Sequence, residues 1–365
     1  MNIKLILGAV GLVFSVNSHA SLLDLVGDGY VTYGDFNSYS LPIAEINIQS
    51  SPGQISELVV VATGANGLPV NTNFSGMDNA YSTPTGVSGS NFFSTGTSTD
   101  PGQVSVFSGD QGATWDTSLS ALQTYLNDEE MVFLFNNNNL NGGNLQSLAA
   151  WMQVTVTNAL GADIGTFDFT NNAGAYALVS EGGGGTFTGD PTAYTSDGSG
   201  PLIGDNTGTD YVLSGGPICI DTDTSPPTPV SCKLADGTPN PIADEGPINH
   251  NLGADNAAYA VVAPELNMLL GGLFDSAFNL DDYTMSIDLH LGCNAGFGSA
   301  NEEICTGAIS GFGKNINNGY EQLFIATATL DPNTQVPEPG TLLLLASVLL
   351  LLKYHKQIVR LHIKH

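Results

Sequence analysis

The sequence predicts an all-β chain: a sandwich or jelly-roll-like ectodomain with one or two short helices, a cleavable N-terminal signal helix and a C-terminal hydrophobic helix. Three observations carry this expectation. Short runs of β-branched and aromatic residues recur between clusters of Gly, Asn, Ser and Asp; helical periodicity occurs in few places; and both ends differ in composition from the middle.

In chain order, strands are expected at 57–62, 103–107, 131–135, 152–157, 166–170 and 176–179, and again at 257–262, 285–291 and 321–329. Within 152–157, Met152, Val154 and Val156 alternate with Gln153, Thr155 and Thr157, and residues 158–161 turn the chain back toward 164–169. That pattern predicts a hairpin. Trp115, Leu119, Leu122 and Leu126 fall at steps of four, three and four, predicting a helix capped by Asp116 or Thr117. A second short helix or apolar loop is expected at 265–274. Between the two groups of strands, residues 181–216 hold 11 glycines in 36 positions, and 217–247 hold seven prolines in 31. Such a stretch is read as loops with two short strands, one of them at 210–213. The organisation is therefore a signal peptide at 1–20, a β-rich ectodomain at 21–180, a Gly/Pro-rich linker or insertion at 181–247, a second β-rich segment with a disulfide loop at 248–332, and a C-terminal segment at 333–365. The body is either one large β domain with long insertions or two subdomains.

Of 365 residues, 35 are acidic and 7 basic. Five of the basic ones, Lys4, Lys353, Lys356, Arg360 and Lys364, lie near the ends, so residues 21–336 keep 34 acids against Lys233 and Lys314. That segment is excluded from binding nucleic acid or anionic lipid, because neutralising phosphates needs clustered Lys and Arg. Hydrophobic residues make up 42% of the chain, enough for a packed core rather than a disordered acidic tail.

Residues 1–20 combine a basic start at Lys4, an apolar run from Leu5 to Val16, and a small-residue ending at Ala20. This is the pattern of a secretory signal peptide with cleavage between Ala20 and Ser21. At the other end, Pro337, Glu338 and Pro339 precede a Leu-rich run at 341–352 and a tail carrying Lys353, Lys356, Arg360 and Lys364. The prolines fix an extended segment with few backbone donors, the apolar run suits a bilayer, and the basic tail suits its cytoplasmic side. The arrangement resembles the PEP-CTERM sorting signal of exported surface proteins in Gram-negative bacteria, with Pro337, Glu338 and Pro339 as its motif. A stretch at 131–172 is similar to ectodomain segments of such proteins. The resemblance implies processing by an exosortase after signal peptidase, transient membrane anchoring through the C-terminal helix, and an end location at the cell surface or outside the cell. It also implies a structural or interaction role in an exopolysaccharide, biofilm or floc matrix.

Cys219, Cys232, Cys293 and Cys305 all lie in the exported segment, where disulfides are expected. Of the three pairings, Cys219 with Cys232 and Cys293 with Cys305 close the shortest loops and are preferred. Zinc is rejected: no Cys-x-x-Cys occurs, and His250 and His290 are the only histidines of the exported segment. No organic cofactor is expected. Calcium is the ion the acidic surface suits, as a bridge to anionic exopolysaccharide, but spacing defines no site. Asp221, Thr222 and Asp223 begin like an EF-hand loop, yet Pro226 stands where its glycine belongs and Cys232 where its glutamate belongs. No Gly-x-Ser-x-Gly occurs. Asp288 and His290 fall on the polar side of their predicted strand, an arrangement shared by acid–base pairs and ordinary half-buried strands. Tyr30, Tyr33, Phe36 and Tyr39 have the composition of a sugar-binding platform and equally of an edge strand. No catalytic role is expected. The competing class is a secreted carbohydrate-binding module or carbohydrate-active enzyme using Asp and Glu, since a glycosidase needs only two carboxyl groups about 5–9 Å apart.

Overall fold

A computed structural model describes residues 23–331 except 34–35, 51–57, 65–70, 72, 85–91, 138–149, 170–175, 178–185, 188–212, 215–217, 233, 235–238, 254–255, 293–315 and 317–320. In chain order the strands are β1 Leu23–Asp24, β2 Tyr30–Tyr33, β3 Phe36–Ser40, β4 Val59–Thr63, β5 Tyr81–Ser82, β6 Phe92–Ser94, β7 Trp115–Ser118, β8 Glu130–Asn136 and β9 Ala150–Thr157. They continue with β10 Asp163–Phe169, β11 Tyr176–Ala177, β12 Thr186–Phe187, β13 Ile218–Asp221, β14 Thr228–Ser231, β15 Tyr259–Val262, β16 Thr284–Gly292 and β17 Gln322–Thr329. The α-helices among the described residues are α1 Leu119–Leu126 and α2 Pro264–Phe274. The chain is all-β in character, as its sequence predicts.

The strands form two main sheets. The larger runs β2-β3-β15-β8-β17-β4-β5, with β1 pairing parallel to the end of β17; the smaller runs β10-β9-β16-β6, with β7 also pairing β16. One apolar cluster joins them: Val59, Val61, Phe133, Phe135, Tyr259, Val261 and Ile325 of the larger sheet meet Met152, Val154, Val156, Ile287 and Leu289 of the smaller. The alternate residues of the larger sheet, among them Val60, Leu134, Ala260, Val262 and Phe324, are covered on the other face by Leu23, Leu25 and Leu41. Burial on both faces explains why β4, β8 and β15 read as unbroken apolar runs, whereas β9 and β16, with polar residues on one side, alternate. The expected hairpin is present as β9–β10, with Phe169 opposite Met152 and Phe167 opposite Val154.

Strands from beyond the Gly/Pro-rich stretch sit inside the sheets begun before it. β15 lies between β3 and β8, β17 between β8 and β4, and β16 alongside β9. Both sheets therefore need the two halves of the chain.

Two local expectations differ from the structure. Trp115 belongs to strand β7, and helix α1 begins only at Leu119, capped by Ser118, whose hydroxyl accepts the Ala121 N–H at 3.3 Å. The cap is thus neither Asp116 nor Thr117, both of which are buried in the strand with all four of its residues. Residues 103–107 form no strand beyond a single bridge between Gln103 and Asp78. The Gln103 side chain is spent on its own loop, donating to Asp110 and accepting from Phe107 N–H, which curls the segment instead of extending it. Of the short strand expected at 210–213, only Leu213 is described, and it lies in a turn.

Candidate functional site

A groove of about 940 Å³ opens beside the start of α1. Its walls come from residues 73–77, from 105–108 and from the exposed side of α1, with Glu129, Asp281 and Asp282 at its margin. Phe74, Phe107 and Tyr125 supply aromatic surface, Phe74 meeting Tyr125 edge-on at 5.3 Å, and Val106 stands 94% exposed at the lip. Serine and threonine hydroxyls line much of the rest. Some brace the walls: Ser105 Oγ accepts the Gly76 N–H at 2.8 Å and lies 2.7 Å from Ser75 Oγ, while Ser120 donates to Asp281. Two glycines make the close approach feasible. At Gly76, φ is +85° and a Cβ would sit 2.9 Å from Ala121 Cβ; at Gly109, φ is +87° and a Cβ would fall 2.1 Å from Thr284 Oγ1. Thr284 in turn donates to the Ser108 carbonyl at 2.8 Å, tying the wall to β16.

Next to the groove, the continuations of the 73–77 and 105–108 walls and strand β7, which leads into α1, bring three carboxylates together. Asp78, Asp110 and Asp116 each place an oxygen within 4.8 Å of the other two. Asp78 and Asp116 exchange contacts across an antiparallel pairing: the Asp78 N–H donates to the Asp116 carbonyl at 2.9 Å, and the Asp116 N–H donates to Asp78 Oδ2 at 2.8 Å. Asp116 also accepts the Gln111 N–H at 2.7 Å and the Thr114 hydroxyl at 3.0 Å. Asp78 is 1% exposed and Asp116 0%. Burial pushes the Asp78 carboxyl up to about 8, with the nearby Asp116, Asp110 and Asp100 charges adding to the rise and the Asp116 N–H opposing it. Asp116 is pushed up to about 7, again chiefly by burial, against hydrogen bonds from Ser286, Gln111 and Thr114 that favour its charged form. Among the described residues, neither Asp78 Oδ1 nor Asp110 Oδ1, both buried, has a hydrogen-bond partner.

The model of the family described as Domain of unknown function (DUF8239) matches residues 22–290, a span holding the groove and all three aspartates. The chain belongs to the DUF8239 family. Comparisons with curated proteins and with solved structures return no match.

Within the DUF8239 span, the residues singled out from sequence fall into distinct places. Cys219 and Cys232 are joined across the β13–β14 hairpin, the expected pairing, which also removes both as zinc ligands. Asp221 and Asp223 meet Asp244, with one oxygen of each within 4.8 Å, but on an exposed hairpin end where Asp244 accepts from Thr222 and Asp221 from the Asp223 N–H. Asp288 and His290 are neighbours as expected, Oδ1 to Nε2 at 3.1 Å, and Ser94 Oγ lies 3.3 Å from the same Nε2. A catalytic triad needs the acid on one ring nitrogen and the serine on the other, so this set does not form one. Thr95 donates to Asp288 at 2.9 Å, completing a polar lattice between β16 and the Thr95–Thr97 turn. The Tyr30–Tyr39 cluster is no platform: Phe36 and Tyr39 are buried, and burial pushes the Tyr33 phenol up to about 12. The residues Ala20, Ser21, Cys293, Cys305, Pro337, Glu338 and Pro339 lie outside the described residues.

The three aspartates were missed from sequence. They are separated by 32 and 6 residues, and only the pairing of residues 76–78 with β7 and the folding back of the Asp110 loop bring them together. The available signal was weak: Asp110 and Asp116 flank a short Gly-containing loop, and Asp116 occupies a strand position where an unpaired acid is costly.

Proposed function

We propose that this DUF8239 protein is an exported, exosortase-processed cell-surface or extracellular-matrix protein whose two-layer β-sandwich binds polysaccharide in the groove beside α1. The observation that supports the reading is the groove itself, in which Phe74, Phe107 and Tyr125 offer apolar faces for sugar C–H surfaces among Ser and Thr hydroxyls suited to sugar hydroxyls. Binding rather than hydrolysis is favoured because the two buried carboxylates with raised pKa values, Asp78 and Asp116, stand behind the groove wall and not among its lining residues. The sorting part of the reading rests on the signal peptide ending at Ala20 and on Pro337, Glu338 and Pro339 ahead of the Leu-rich and basic blocks. Its end state is release to the surface after passage through the inner membrane.

Two experiments test it. In affinity gels cast with the host's purified exopolysaccharide, the native chain is expected to be retarded, and Phe107→Ala to weaken retention by roughly two- to tenfold, since an aromatic contact contributes roughly 0.5–1.5 kcal/mol. Unretarded migration of the wild type, or equal retention of the variant, overturns the groove reading. Separately, intact mass of protein recovered from cell surface and medium is expected to match a chain beginning at Ser21 and ending near Pro337. A mass retaining residues 342–365 refutes the sorting.

A further inference from the structure

Among the described residues there is no lysine or arginine. The cluster of Asp78, Asp110 and Asp116 is therefore a group of carboxyls that no cationic side chain of the described structure pairs with. Acidic clusters on protein surfaces are commonplace, and the exposed Asp221, Asp223 and Asp244 group is one of these. The buried cluster differs in two ways. Asp78 is only 1% exposed, and one of its carboxylate oxygens has no donor among the described residues; the same is true of a buried oxygen of Asp110. A buried carboxylate oxygen without a donor is destabilising, and two of them facing a third carboxylate are what a bound cation would satisfy.

The geometry narrows the ligand. Oxygens within 4.8 Å of one another can all touch a single ion at about 2.4 Å, the calcium–oxygen distance, because opposite ligands of such a shell lie about 4.8 Å apart. All donors are hard carboxylate oxygens, and the other hydrogen bonds of the set fix them in place: Gln111 and Thr114 hold Asp116, the Asp116 N–H holds Asp78, and Gln103 holds Asp110. The carriers are one strand end and two loops, which suits the irregular, six- to eight-fold shell of calcium better than the rigid octahedron of magnesium.

We infer that Asp78, Asp110 and Asp116 form a calcium site that locks the two wall segments ending in Asp78 and Asp110 to β7, the strand that leads into α1. The ion ties the turn at 76–78, the loop carrying 105–110 and the start of β7 into one unit, so the groove walls keep their spacing. The site stands whether or not the groove binds a glycan, since the ion touches none of the lining side chains named above.

Titration calorimetry of the full chain, stripped with EDTA and then titrated with calcium chloride, tests the assignment. One calcium per chain is expected, with magnesium chloride binding at least about tenfold more weakly. Asp78→Asn and Asp116→Asn are expected to abolish the binding. Asp110→Asn, at the least buried of the three positions, is expected to weaken it at least tenfold while leaving the circular dichroism spectrum unchanged, which separates loss of the site from loss of the fold. Asp223→Asn is expected to bind calcium as the wild type does. A wild-type titration without heat, unchanged binding in Asp110→Asn, equal magnesium affinity, or loss of binding in Asp223→Asn each overturns the assignment. Polysaccharide retention failing while calcium binds refutes the groove reading alone.

Discussion

Replacing Phe169 by alanine is expected to cost the fold about 3–5 kcal/mol, measured as a lower urea midpoint at unchanged slope. Phe169 is 0% exposed at the end of β10, stacked on Phe36 at 5.4 Å and meeting Phe133 edge-on at 5.2 Å. Both partners belong to the larger sheet, so this one ring couples the edge strand of the smaller sheet to the opposite layer. β10 has few other anchors: its first half is exposed or half-buried, and Phe167 is its other well-buried side chain. The cavity left by alanine would lie between two sheets held apart by neighbouring large residues, a place where collapse is poor and the cavity penalty is near its upper range. Ile164→Ala on the same strand, at a position 38% exposed, is expected to change stability by less than about 0.5 kcal/mol. A Phe169 variant losing under about 1 kcal/mol would mean that the two layers are not coupled through this contact.

What could be read from the sequence follows from where the governing interactions lie along the chain. The β9–β10 hairpin was legible because its pairing is local and its alternation of Met152, Val154 and Val156 with polar residues reports one buried face directly. The Cys219–Cys232 bridge was legible for the same reason, its partners being 13 residues apart. The start of α1 was misread because Trp115 happens to continue the helical spacing of Leu119, Leu122 and Leu126, although its burial comes from β7 pairing with β16, some 170 residues away in sequence. Strand order was not legible at all, since β15 reaches back across the Gly/Pro-rich stretch to insert between β3 and β8. The groove and the three aspartates share that fate. Their walls are segments whose proximity is created by long-range pairing, and neither a spacing rule nor a motif encodes it. The Asp288–His290 pair shows the converse limit: the sequence places both on one strand face, but only the structure shows that Ser94 and Asp288 compete for one nitrogen.

The second large effect is a pH dependence carried by His250. This imidazole is 2% exposed, lies flat against Tyr259 at 4.1 Å, and uses both nitrogens: Nδ1 is 2.9 Å from the Ile248 carbonyl and Nε2 is 2.8 Å from Ser40 Oγ. Burial pushes its pKa down to about 3, only partly offset by the Ile248 carbonyl, from an ordinary 6.5. Because the folded value lies below the unfolded one, the unfolded chain binds the extra proton between them, and stability contributed by the neutral ring is complete above pH 6.5 and lost as pH falls toward 3. Asp78 and Asp116 run the other way over the same interval, since their raised values make the folded chain the better proton binder below about 7 to 8. The overall acid profile of the wild type is therefore a difference of opposing slopes. A variant isolates the ring, because both aspartates remain in it and cancel. His250→Gln keeps a polar group beside Ser40 but cannot titrate, so the stability gap between wild type and variant is expected to narrow by about 3 kcal/mol between pH 6.5 and pH 4, at roughly 1.4 kcal/mol per pH unit. Urea denaturation of both chains at the two pH values measures it, with EDTA present throughout to keep divalent cations constant. A gap that stays fixed, or an imidazole nitrogen signal that titrates near 6.5 in the folded chain, would show that His250 reaches solvent and is not the neutral ring packed against the Ser40–Tyr259 pair of β3 and β15.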